Sequence, residues 1–150
     1  MSDVMRVEGL HDLPARTELT VGEWYKFTAR GAKVKEISWQ DKETGDQVTA
    51  KIISMSLIPR DDAGDSMSDR KPINTSLFMP DRDRESEEYF EMTSRNLKSA
   101  LVSLDVEIDN EGSFVVSDIN GAEVELQVVL QKREKGDRLD VRWPEFTDEG

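Results

Sequence analysis

Lys33, Lys35, Ile37 and Trp39 recur at every second position in the run GAKVKEISWQ. In an extended strand that spacing puts all four side chains on one face, provided Ala32 and Val34 point inward. An indole at the end of a lysine-bearing stripe can stack on a nucleobase while the ammonium groups hold the adjoining phosphates. A second basic group, Lys132, Arg133, Lys135, Arg138 and Arg142, lies in one short segment with Glu134, Asp137 and Asp140. Together with Lys33, Lys35 and Lys51 it could form one positive rim, and Phe78 is a second candidate for stacking. A plainer reading is also open. The stripe is then a solvated face with a Trp capping the sheet, and the mixed charges of KREKGDR pair among themselves.

Other chemistries find less support. There is no cysteine, which removes disulfides, thiolate metal sites and nucleophilic thiols. The single histidine, His11, lies in a lead-in that supplies no obvious catalytic partner. Asp61, Asp62, Asp65 and Asp69 crowd one polar loop. Their spacing does not follow a calcium-loop pattern and no Glu closes it, so the expectation is a mobile loop rather than a metal site. No glycine-rich phosphate loop and no Ser/His/Asp arrangement is visible, and carboxylate pairs carry no weight in a chain with 32 acids. The sequence therefore predicts neither an enzyme nor a cofactor.

Charge and length set further limits. The 150 residues are enough for one domain with a real core. A net charge of −12 opposes long-range attraction to nucleic acid, so binding would need a local basic face on a negative body. No apolar run approaches the roughly 18–20 residues of a membrane span, and the first residues carry no charged-then-apolar signal. The expectation is a soluble cytoplasmic protein with no membrane partner.

The elements that must position the basic stripe can be read from patterning. Trp24–Gln40 and Gln47–Ile58 are long β-rich runs separated by DKETGD, a hairpin signal. Tyr25, Phe27 and Ala29 alternate with polar residues, but after Gly31 the phase slips to Ala32 and Val34. A glycine at such a slip predicts a bulge or bend. INTSLFM (73–79) is a third strand stopped by Pro80. Ser86 is the expected N-cap of a helix whose apolar stripe is Phe90, Thr93, Leu97, Ala100, Leu101 and Leu104. SFVV (113–116) reads as a small extra strand. Val124, Leu126, Val128 and Leu130 alternate within 122–133, and 138–143 returns with Leu139, Val141 and Trp143 inward.

The order strand, strand, strand, helix, strand, strand, with a bent first strand, predicts a mainly β protein with one helix. Its expected architecture is an OB-fold-like five-stranded Greek-key barrel over residues 23–144. Residues 1–22 form a lead-in and 145–150 a short acidic tail. The binding face of that fold lies across strands two and three, flanked here by the loops at 40–47 and 133–137.

The segments GEWYKFTARGAKVKE, TSRNLKSALVSLDVEI and NGAEVELQVVLQKREKGDRLDVRWPEF resemble a group of small phage-encoded single-stranded-DNA-binding-like proteins of replication and recombination. The resemblance spans most of the chain and rests on pattern rather than on invariant chemistry. The Asp-rich loop and the heavily acidic total depart from it, and Phe146, Asp148 and Glu149 only faintly resemble the acidic, Phe-bearing tail of single-strand binders. It implies a non-catalytic single-stranded DNA-binding protein in the cytoplasm of an infected bacterium. It also implies contacts with replication or recombination proteins through the acidic tail, and it is compatible with a homo-oligomer. The alternative is an acidic protein-interaction module, or a DNA mimic that inhibits a nucleic-acid-processing enzyme.

Overall fold

The computed structural model describes residues 3–133 and 135–144. The acidic tail and Glu134 lie outside the described residues. Strands β1 (Trp24–Gln40), β2 (Gln47–Arg60) and β3 (Ile73–Phe78) are followed by helix α1 (Glu87–Ser103), then by β4 (Glu123–Gln131) and β5 (Arg138–Arg142). The protein is mainly β, with one helix against one antiparallel five-stranded sheet in the order β3-β2-β1-β4-β5.

The phase slip in β1 is a bulge. Arg30 pairs with Ser56 and Lys33 with Ser54, so β1 spends one more residue than β2 between those pairs. Gly31 supplies the left-handed backbone this requires, at φ 66. Before the bulge β1 is flanked by two strands, pairing with β4 over Trp24–Thr28 and with β2. Beyond it only β2 remains alongside. The changeover is sealed by Gly121 N–H to Ala29 O (2.8 Å) and by Ala32 N–H to Asn120 Oδ1 (2.9 Å). No atom lies within 4 Å of a Cβ built on Gly31, so a side chain there costs backbone strain alone. Gly31→Ala should lose about 1 kcal/mol in urea unfolding, near the lower end of the left-handed penalty for an L-residue.

The core sits between one face of the sheet and α1. Phe27, Ala29, Ile53, Met55, Leu57, Leu126 and Val128 come from the strands, and Leu97, Ala100, Leu101 and Leu104 from the helix stripe. Ser86 caps α1 by accepting the Tyr89 N–H at 3.3 Å, as its position before two glutamates predicts. Val141 is buried, while Leu139 and Trp143 are half-buried against the same core. Val34 shares the face of Ile53 yet is half-exposed, because that end of β1 has no neighbour on its second edge.

Two expectations are corrected. SFVV forms no strand, and Val116–Ile119 is instead a 3-10 turn that buries Ile119 while Phe114 and Val116 pack half-buried on the core. Those apolar residues serve as a plug, which needs no ladder partner. The sheet also does not close by a backbone ladder. Its edge strands β3 and β5 are joined by side chains instead, where Thr75 Oγ1 donates to Asp140 Oδ1 at 2.8 Å. Asp140 accepts its own neighbour's N–H as well, from Val141 at 2.8 Å.

The lead-in is fastened to the body from Thr17 onward. Thr17 N–H donates to Asp69 O (2.9 Å) and Lys71 N–H to Thr17 O (2.8 Å). Arg70 reaches Glu18 O at 2.9 Å and lies over the Tyr25 ring, 5.9 Å from its centroid. Burial pushes the Tyr25 phenol up, but the Thr20 N–H donated to its oxygen and the adjacent Arg70 guanidinium outweigh this and hold it below the ordinary tyrosine value. His11 lies in an exposed 3-10 turn, Leu10–Asp12.

Candidate nucleic-acid interface

Residues paired across an antiparallel ladder share a face, so the register assigns sides directly. Lys33, Lys35, Ile37 and Trp39 lie opposite Ser54, Ile52, Ala50 and Val48 of β2. Ser56, Ser54 and Ile52 in turn lie opposite Asn74, Ser76 and Phe78 of β3. This is the face away from the core cluster, which takes the alternate residues Ile53, Met55, Leu57, Ile73 and Leu77, although Ala50 and Ile52 on this face are themselves buried. The period-two stripe is therefore a real outward face.

A groove of about 560 Å³ runs over it. Lys33, Lys35 and Arg138 supply cations at its walls, Ser54, Ser56, Asn74 and Ser76 a hydroxyl and amide floor, and among the described residues no carboxylate lines it. Ser56 Oγ donates to Asn74 Oδ1 at 2.8 Å, which turns the Asn74 amide nitrogen away from that bond. Lys33 and Lys35 are exposed, and among the described residues neither has an ion-pair partner. Strands β1, β2 and β3 carry six basic residues, Lys26, Arg30, Lys33, Lys35, Lys51 and Arg60, against the single acid Glu36. The negative excess of a chain at −12 is thus carried elsewhere.

The two aromatic candidates stand at different levels of this face. Phe78 is 48% exposed and opposite Ile52, level with Lys35. Trp39 is 40% exposed and four residues further along β1, about 13 Å at the usual strand rise. Arg84, from the segment entering α1, places its Cζ 6.0 Å from the Trp39 ring centroid, so the indole already has one cation beside it. That arginine is braced by Glu85 at 3.5 Å.

Glu85 is the most heavily used carboxylate near the site. Its oxygens accept from the Asp81 N–H (2.9 Å) and the Thr93 hydroxyl (2.7 Å). Burial pushes the group up, but these hydrogen bonds and the Arg84 charge outweigh it and hold its pKa below the ordinary carboxylate value. A lowered folded-state pKa means stability that is present at neutral pH and lost as pH falls through the carboxylate range. Glu85→Gln should therefore cost about 1–3 kcal/mol at neutral pH. In urea unfolding the gap between parent and variant should shrink as pH drops below about 4.

The remaining sequence candidates are dispersed. Lys51 pairs with Glu36 on the opposite face and lines a separate cavity with it, so it does not join Lys33 and Lys35. Lys132, Arg133 and Lys135 are exposed on the β4–β5 hairpin, where Arg133 donates to Gln131 at 3.1 Å. None of the three lines the groove. Arg142 is exposed opposite Gln127. Arg138 alone of that basic group reaches the groove, with Asp140 at 3.8 Å.

Sequence reasoning passed over the floor. Its signal was present as polar residues at alternate positions in two β-rich runs, Ser54 and Ser56 in one and Asn74 and Ser76 in the other. The Asp-rich loop is a turn device. Asp61 Oδ1 accepts from the Ala63 and Asp65 amides, and Asp41 and Asp109 cap their own loops in the same way. Among the described residues no cluster of His, Asp or Glu is arranged to hold a metal, and no helix is long and apolar enough to cross a membrane. No family model matches the chain, and a search of curated proteins finds no relative.

Proposed function

We propose that this protein binds single-stranded DNA without catalysis, on the outer face of β1, β2 and β3. The observation that carries the reading is the groove itself, walled by Lys33, Lys35 and Arg138 and, among the described residues, lined by no carboxylate in a chain at −12. Cations along a groove hold phosphates with little regard to sequence, and exposed aromatics at its borders accept any base by stacking. The acidic remainder repels the backbone elsewhere and confines the strand to this face. Strand order, the bulge-bent first strand and the helix between β3 and β4 support an OB-like barrel whose β3–β5 seam is held by side chains. A place in phage replication or recombination rests on the sequence resemblance.

The competing reading, an acidic DNA mimic, needs carboxylates in a continuous stripe. Asp41, Asp61, Asp81 and Asp109 are instead turned back onto backbone amides of their own turns, and the outward face of β1, β2 and β3 is basic.

Fluorescence anisotropy of a labelled oligo-dT, with duplex as control, tests the proposal. Binding to the single strand alone, weakening as salt rises, is the expected result. No binding at low salt would abandon it, and a search for a protein partner would follow.

A further inference from the structure

The groove does not end at β3. A second cavity of about 200 Å³ lies against it, lined by Lys71, Pro72, Ile73 and Leu139 and sharing both Asn74 and Arg138 with the first. The two meet where the sheet fails to close. We propose that a bound strand leaves the β1–β2–β3 face across this open seam, over Arg138, and that Lys71 holds a further phosphate beyond it. The inference rests on the single-strand reading above and extends its binding track.

Each part of the seam suits that use. A backbone ladder between β3 and β5 would close the passage, whereas the Thr75–Asp140 hydrogen bond joins the edges at one point. Asp140, fixed by that bond and by the Val141 amide, positions Arg138 through a long ion pair of 3.8 Å. Among the described residues the buried Arg138 Nε has no hydrogen-bond partner. The ion pair is partly buried, but at 3.8 Å it is long, and a phosphate that meets the guanidinium at ordinary hydrogen-bond distance replaces it with a stronger charge-assisted contact. Lys71 is exposed, yet its backbone is fastened through its N–H to Thr17 O at 2.8 Å, so its ammonium projects from a fixed point. Glu18 also lines this cavity and opposes a longer run of phosphates there.

The length of the bound oligonucleotide reads the route. Oligo-dT of about 6 and about 16 nucleotides brackets the range of one such domain. Lys71→Gln should leave affinity for the short oligonucleotide unchanged, weaken the long one several-fold, and lower its salt slope by about 0.7. Arg138→Gln should weaken both lengths, because Arg138 also walls the groove, and the long one more strongly, with circular dichroism confirming its fold. Because Arg138 also braces the seam, the exposed Lys71 variant keeps the test decisive should Arg138→Gln unfold. Equal effects on both lengths, or none from Lys71→Gln while the parent binds, would overturn the seam route and leave the groove standing. A parent that binds neither length overturns the single-strand reading and the route with it.

Discussion

Removing Trp39, Lys33 and Lys35 together should lower affinity for a single-stranded oligonucleotide by about 100-fold at low salt while leaving the unfolding midpoint within a few degrees. Loss of one stacked base accounts for about 1–3 kcal/mol, or roughly 5- to 150-fold. The two lysines act through phosphates, and their removal should flatten the plot of log affinity against log salt by about 1.4. The two contributions separate experimentally, since Trp39→Ala should leave the slope alone and the double lysine variant should change it. Fold stability is spared because all three side chains lie on the face away from the core cluster, and among the described residues the lysines have no ion-pair partner to lose. Trp39 does touch Arg84, an exposed-site cation–π contact of about 0.5–1 kcal/mol. Binding equal to the parent in both variants would mean that the stripe is only a solvated face.

Much of this site was legible in the sequence because strands have a period of two. Once Gly31 marked a slip, the side of Lys33, Lys35 and Trp39 followed, and the register at Arg30 and Lys33 agrees. The same rule also separates Lys51. Ile53 is buried and Lys51 is two residues before it, so the parity of β2 sends Lys51 away from Lys33. What periodicity cannot give is the meeting of distant segments. Arg138 reaches the groove and Lys132 does not, which depends on how far β5 curls toward β3. Lys71 becomes relevant only because Thr17 fastens its backbone beside the β5 edge. The strand expected at SFVV failed for a related reason. Three successive apolar residues satisfy a strand pattern and a plug pattern equally, and the choice is made by whether an unpaired edge lies nearby.

Phe27 and Phe78 provide the second large contrast, because the fold gives two identical side chains opposite tasks. Phe27 is fully buried, in the one stretch of β1 that has strands on both sides, opposite Pro59 of β2 and Val124 of β4. Its ring also meets Tyr25, with centroids 6.2 Å apart. Phe27→Ala removes those contacts and leaves a cavity that two hydrogen-bonded ladders prevent from collapsing. The expected loss is about 3–5 kcal/mol, toward the upper part of the range for buried aromatics. For a chain of this size that is a fall in midpoint of about 10 °C or more, and a large fraction of the whole stability of an ordinary domain. Phe78 occupies an edge strand and is 48% exposed, so Phe78→Ala should cost less than about 1 kcal/mol. Its effect should fall on oligonucleotide affinity, as one stacking platform lost. Thermal unfolding and anisotropy on the same two proteins check both halves. A Phe27→Ala variant as stable as the parent would contradict the placement of the core on that face of β1, and with it the assignment of the lysine stripe to the other.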